Sequence, residues 1–428
     1  MKNGKNLFQN IIGYENEKKI LERVVDILNQ PEKYKKIGSK IPRGLLLYGP
    51  PGIGKTTFSK DILKEVKRKN YVIRKIKSDG SFMDYMSSIF KKAKENQPAI
   101  ILLDDIDKFA EDDDTKNSEE YVAVQSLIDD IKDEDIFVIA TANKISTLPN
   151  SLLRAGRFDI KIEIDYPDDK EACDIMKHYL KKKKIDRKVN IKNISYILGK
   201  TSCAELEKVC NQAGIYAGFK NKEKIENEEI IRAALEAAYN TNIEECSEDS
   251  YALNVAYHEA GHAIVSEYLE HGSVKFITTV RTDSDTKGIT QLKNNDYYFD
   301  DIKFMENRII SLLGGKAAIE IIYHKCDVGT ESDLRRVYSI AERFVDDYCM
   351  LDFHSWIRHT SEASEKVKQS KDDNINKLVE KYYIQAKEIL LKNKDKLDTL
   401  AQQLKLKKIL FQDEIEDIYS NPNQYNNL

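Results

Sequence analysis

The chain has 428 residues, 33% of them charged and 41% hydrophobic, and a formal net charge of −4. That length exceeds what one hydrophobic core serves and implies two or three domains, while that charge gives no bulk attraction to nucleic acid or anionic lipid. There is no apolar run of about 18 residues or more, no secretory leader and no Cys-x-x-Cys pair among the 6 cysteines, so the sequence as given reads as neither membrane-spanning, secreted nor disulfide-built.

From the N-terminus, the apolar run Gly44-Leu-Leu-Leu-Tyr48 leads into Gly49-Pro50-Pro51-Gly52-Ile53-Gly54-Lys55-Thr56-Thr57 and then a helix-compatible stretch from Thr57 to Lys69. Strand, glycine-rich turn and helix form the setting in which backbone N–H groups wrap phosphates. Lys55 would reach the β and γ oxygens, and the Thr56 hydroxyl would ligate Mg²⁺. A second buried strand, Ala99-Ile-Ile-Leu-Leu103, ends in Asp104-Asp105. An apolar run that ends in charge is how a parallel strand looks where its tip opens onto a ligand. Asp104 is expected to hold magnesium, and Asp105 to orient or deprotonate the attacking water. A third run, Ile136–Ala140, ends near Asn143, placed to sense the γ-phosphate. The pair Arg154 and Arg157 flanks Gly156; such an ATPase needs extra positive charge for its transition state, which a neighbouring subunit can insert.

Residues 167 to 238 carry helical patterns, and the acidic stretch 240–249 reads as a linker. Beyond it, a helical pattern from about Tyr251 to Glu270 contains His258-Glu259-Ala260-Gly261-His262. Two histidines four apart on a helix stand one turn above each other and can share a metal ion, with the intervening glutamate reaching a water on it. A catalytic zinc takes three protein ligands, and spacing offers Glu320 or Asp333 as the third. His178, His271, His324, His354 and His359 lack paired spacing and read as surface or structural.

In this order the motifs resemble the AAA+ family and, with His258-Glu-Ala-Gly-His262, the FtsH-type ATP-dependent zinc metalloproteases; the similarity runs from Phe8-Gln-Asn-Ile-Ile12-Gly13 to the helices around Ala386–Leu390. The resemblance implies an α/β AAA+ domain with a parallel sheet and helices on both faces (1–166), a small helical lid (167–240), and a mainly α-helical zinc metalloprotease domain (241–428). It implies adenine contacts at Ile12 and Gly13, trans-acting fingers at Arg154 and Arg157, and Asp333 as third zinc ligand, with Glu320 nearby in a supporting role. The cofactors implied are Zn²⁺, ATP and Mg²⁺. The function implied is translocation and degradation of polypeptides in a homohexameric ring, with substrate laid along a strand region that Ser273–Val280 and Gly288–Leu292 resemble; the alternative is a protein-remodelling ATPase with weak or lost proteolysis. Nucleic acid is not an expected partner. Three departures stand out. Asp105 replaces the family's usual glutamate, so hydrolysis is expected to be slow. The segment 77–90 is short and lacks the aromatic–hydrophobic–glycine pore motif, leaving Phe82-Met83 as its nearest substitute, with Phe82 equally readable as a core residue. The family's membrane-spanning N-terminal region is not in this sequence, which reads as cytoplasmic or as the cytosolic part of an anchored parent.

Overall fold

The computed structural model describes residues 7–75, 81–110, 118–240, 252–280, 288–293, 302–325, 328–348 and 364–425. The expected linker lies outside them except for Asn240, as do Tyr251, His354, His359, Cys246, Cys326, Cys349 and residues 77–80. The chain divides into two compact units, 1–230 and 231–428, and passes from one to the other within the helix Asn227–Tyr239.

The first unit begins with helices α1 (Glu15–Asn29) and α2 (Pro31–Lys35), then strand β1 (Gly44–Tyr48), helix α3 (Lys55–Glu65), strand β2 (Lys69–Ile73) and helix α4 (Phe82–Glu95). Strand β3 (Ala99–Leu103), helix α5 (Glu119–Asp130) and strands β4 (Ile136–Ala142) and β5 (Ile160–Glu163) complete its sheet, and helices α6 (Asp169–Leu180), α7 (Ile191–Leu198), α8 (Cys203–Phe219) and α9 (Asn227–Tyr239) follow. The strands pair in parallel in the order β2-β3-β4-β1-β5. Alternate residues serve two cores, which is why the central strands are apolar without a break. Leu46, Ile101, Leu103 and Val138 face the core that includes Phe90 of α4 and Val124 of α5. Leu45, Leu47, Ile100, Leu102 and Ile139 face the one that includes Leu21 of α1 and Phe58 of α3.

One expectation needs correcting, and one open alternative closes. The helix after the glycine-rich turn stops at Glu65, not Lys69, because Val66 is extended (φ −89°, ψ 137°) and Lys69 opens β2. That strand sits at the sheet edge with mostly exposed side chains, so it carries no apolar run to announce it. Of its two readings, Phe82 takes the second and is a core residue. It is 7% exposed and packs edge-on against Phe109 with ring centroids 4.9 Å apart, and Met83 packs beside the same core.

The second unit contains α10 (Ala252–Leu269), strands β6 (Val274–Thr278) and β7 (Ile289–Leu292), α11 (Ile302–Tyr323), α12 (Glu331–Asp346), α13 (Glu365–Lys392), α14 (Lys394–Lys407), β8 (Ile409–Phe411) and α15 (Gln412–Ser420). The strands form an antiparallel sheet with β6 between β7 and β8. Its core gathers α10, α11, α12, α13 and α14 around Ile264, Leu313, Phe344, Leu390 and Leu400. From Ala256 to Glu267 every residue of α10 except His258 is buried, so the helix is enclosed rather than amphipathic. Helix α11 comes so close that a Cβ added to Gly261 would stand 2.5 Å from the Gly314 carbonyl oxygen, and one on Gly314 2.6 Å from that of Gly261. Here backbone meets backbone, which only glycine permits. The buried Glu267 carboxylate accepts from the N–H groups of Gly272 (2.7 Å) and Val274 (3.0 Å), joining the end of α10 to the start of β6. No helix among the described residues is long and apolar enough to cross a membrane.

Candidate active sites

In the second unit, α10 presents His258 and His262 on one face and the first turn of α12 presents Asp333. The Nε2 atoms of the histidines are 3.0 Å apart, and they stand 3.1 Å and 3.2 Å from Asp333 Oδ2. A tetrahedral zinc with bonds of about 2.0–2.1 Å holds its ligand atoms about 3.3 Å apart, so this set fits the ion with little adjustment. Among the described residues these three form the His/Cys/Asp/Glu group suited to a metal. His262 Nδ1 lies 2.7 Å from the Ser311 carbonyl of α11; donating there puts the lone pair on Nε2, facing the other two ligands. Room for an ion comes from Gly315, where a Cβ would sit 2.5 Å from His262 Nε2 and 2.7 Å from His258 Nε2. Glu320, the other spacing candidate, is engaged elsewhere, accepting from Tyr383 and from Lys387 at 2.9 Å.

Glu259 is 6% exposed, and its Oε2 accepts a 2.6 Å hydrogen bond from Thr290 of β7. Burial pushes its carboxyl up; the two imidazoles and Thr290 pull it part of the way back. Burial also works against charge on His262, but the Asp333 carboxylate outweighs it and raises the imidazole to about 9. Asp333 feels the same burial, which the imidazoles overcome, holding its carboxyl far below the usual range. The pH consequence follows in sign. A raised histidine stays protonated through neutral pH and loses its proton as pH climbs through about 9, whereas Asp333 is ionised throughout. Zinc must displace that proton, so its apparent affinity is expected to rise about tenfold per pH unit between about pH 7 and 9. Calorimetry in two buffers of different ionisation enthalpy should find about one proton released near neutral pH; an affinity flat across that range would contradict the coupling.

In the first unit, three strand tips converge. Lys55, at the start of α3, donates to the carbonyls of Gly49 and Pro50 (both 2.7 Å) and to Asn143 Oδ1 (3.0 Å) after β4. Burial pushes its ammonium down, while the charges of Asp105 and Asp107 support it. The Thr56 hydroxyl donates to Asp104 Oδ1 at 3.1 Å, bringing together the hydroxyl and carboxylate that a magnesium ion would use. Thr141 donates to that same oxygen at 2.8 Å. Asp105 has a left-handed backbone (φ 57°), and Lys108 pairs with it at 2.7 Å. Asn143 is fixed through its N–H and Nδ2 to Asp107 Oδ2 at 3.0 Å and 2.9 Å. Ile53 is buried, Thr57 is exposed on the first turn of α3, and Gly52 accepts from Ala204 N of α8 at 3.0 Å. Ile12 and Gly13 precede Tyr14, whose N–H donates to Glu171 of α6 at 2.5 Å and whose hydroxyl lies 3.5 Å from Cys203 Sγ of α8. The chain's start, the glycine-rich turn and the helical region therefore border one another.

The two arginines differ. Arg157 is held within its own chain by Asp129 (3.1 and 2.7 Å) and the Ser151 carbonyl (2.6 Å). Arg154 is exposed and, among the described residues, makes no hydrogen bond or ion pair. Sequence reasoning did not single out Thr290, Thr141 or Gly315. For Gly315 a signal existed, since two adjacent glycines inside an apolar helix are costly unless packing demands them; the others gave none.

The model of the ATPase family associated with various cellular activities (AAA) matches residues 45–166, and that of peptidase family M41 matches residues 246–418. An ATP-dependent zinc metalloprotease FtsH 2 of Thermoanaerobacter sp. (strain X514) is 31% identical over 97% of this chain and 83% of its own length. An ATP-dependent zinc metalloprotease FtsH of Karelsulcia muelleri is 31% identical over 96% of this chain and 70% of its own length, and that of Bacillus subtilis is 29% identical over 93% and 67%.

Proposed function

Because this chain belongs to the FtsH family of ATP-dependent zinc metalloproteases, we propose that it threads polypeptides through a homohexameric ring and cuts them at the site formed by His258, Glu259, His262 and Asp333. The activity itself, ATP-dependent metalloproteolysis with Zn²⁺, ATP and Mg²⁺ as cofactors, goes with the family. The observation that carries the residue assignment is the convergence of two imidazoles and a carboxylate within 3.0–3.2 Å, beside a buried glutamate.

In this reading His258, His262 and Asp333 hold zinc. When bound, it supplies Lewis acidity that makes water nucleophilic near neutral pH and polarises the scissile carbonyl. Glu259 takes the water's proton and returns it to the leaving amine, its carboxylate oriented by Thr290. Burial excludes bulk water from that transfer. The substrate backbone pairs along the outer edge of β7, which has no partner strand among the described residues, a mode that reads main chain and so tolerates many sequences. At the ATPase, the run Gly49–Thr57 cradles phosphate through backbone N–H groups, Ile12 and Gly13 border adenine, and Thr56 and Asp104 hold magnesium. Asp105 orients water, and Asn143 senses the γ-phosphate beside Lys55. Of the two arginines, Arg154 is the better finger for a neighbour's nucleotide, since Arg157 is already tied down.

A two-by-two degradation assay tests this. An unfolded substrate is expected to be cut with ATP, and both ATP removal and zinc chelation should stop it, while chelation leaves phosphate release intact. In the same assay Arg154→Ala should lower phosphate release by about 10³-fold, the scale of an arginine finger. Cleavage of folded and unfolded protein that is indifferent to ATP would defeat the threading part.

A further inference from the structure

In the parallel register of the sheet, Ile73 stands opposite Leu103, and Asp104 N–H donates to the Ile73 carbonyl at 3.0 Å. The next residue on each strand is therefore brought side by side: Arg74 just past β2 and Asp104 just past β3. The guanidinium turns onto the carboxylate, Nε donating to Oδ2 at 2.6 Å and Nη2 closing on the same oxygen. Asp104 is thus fully engaged. Its Oδ1 takes the hydroxyls of Thr56 and Thr141, and its Oδ2 takes Arg74. The carboxylate is only 4% exposed while the arginine is 49% exposed, so the cation covers it from the solvent side. Of the other cations close by, Lys108 is committed to Asp105 at 2.7 Å and Lys55 to the Gly49 and Pro50 carbonyls and Asn143.

We propose that Arg74 is a built-in competitor of magnesium at Asp104, so that the guanidinium and the metal exchange for one carboxylate and the enzyme's demand for Mg²⁺ is set by that exchange. This rests on the assignment of Asp104 as the magnesium-holding carboxylate. Magnesium needs small, near-octahedral oxygen coordination and sheds water reluctantly, so a pre-placed cation is an effective rival. A guanidinium on one carboxylate oxygen through two N–H groups is a charge-assisted contact, yet its half-exposed side chain limits the strength and leaves it free to swing into water. Arg74 is then a positioning residue for the ATPase: it sets when the metal can engage, and it need not touch the nucleotide.

The test is binding of a fluorescent ADP analogue to the full-length protein, titrated with Mg²⁺ and repeated in EDTA. Arg74→Gln is expected to lower the half-saturating Mg²⁺ concentration by about three- to tenfold while leaving affinity in EDTA unchanged. Arg74→Lys, which keeps the charge but not the fork, should fall between the two. Asp104→Asn should flatten the Mg²⁺ dependence, and adding Arg74→Gln to it should produce no further shift. A flat Asp104→Asn profile with an unmoved Arg74→Gln midpoint would overturn the competition alone. An Asp104→Asn profile like that of the wild type would overturn the assignment of Asp104 as well. Arg74→Gln weakening nucleotide equally with and without Mg²⁺ would mean that the arginine contacts phosphate, which also overturns the proposal. Circular dichroism and a thermal melt confirm that each variant is folded.

Discussion

Glu259→Gln is expected to reduce peptide hydrolysis by about 10²–10⁴-fold, the usual contribution of a positioned acid–base group. The substitution keeps size and shape, so Thr290 can still donate to the side-chain oxygen that it now meets at 2.6 Å. What disappears is the ability to accept a proton. Zinc content, measured by atomic absorption, should remain one per chain, since the amide displaces neither imidazole. Phosphate release should also be unaffected, because the change lies in the other compact unit. A variant that retained most hydrolysis would require another base, and among the described residues near the metal ligands Glu259 is the buried carboxylate that offers itself.

The second large effect is expected at a residue without chemistry of its own. Gly315→Ala puts a methyl group 2.5 Å from His262 Nε2 and 2.6 Å from His258 Cε1, well inside contact distance. Alanine favours the helix by about 1 kcal/mol over glycine, so the domain has no local reason to unfold. The strain falls on the imidazoles. They must turn out of the arrangement that brings their nitrogens together, and zinc affinity should drop by at least about 10–100-fold, the scale seen when groups that orient metal ligands are changed. Competition with a chromogenic chelator reads this directly. Peptidase activity should return in part at high zinc. If affinity is unchanged, the packing of α11 against the histidines is looser than these distances allow.

How much of this was legible beforehand depends on range along the chain. The phosphate-binding run and the pair His258 and His262 are local: spacing and flanking pattern suffice, because a strand–turn–helix or one helical turn fixes their geometry. Asp333 is a different case: spacing left it level with Glu320, the family resemblance alone favoured it, and the structure adds the physical reason, since the first turn of α12 meets the two histidines while Glu320 is bonded to Tyr383 and Lys387. Strand β2 was hidden because an edge strand with exposed side chains lacks an apolar signature. Phe82 stayed open between two readings for a related reason: an aromatic beside a short loop has the same local pattern whether it faces a pore or, as here, Phe109. Thr290 and Arg74 could not be found at all, for each acquires its partner through sheet register and tertiary packing.

Gly261 and Gly314 leave α10 and α11 no slack where the two helices cross. Two of the three proposed zinc ligands ride on α10, pinned in this way, while the third arrives on α12, which makes no such glycine-to-glycine contact among the described residues. Tolerance for ionic radius is therefore lopsided. If cadmium took the place of zinc, the longer bonds would be absorbed by the carboxylate's helix drawing back, and the imidazole pair would keep its spacing.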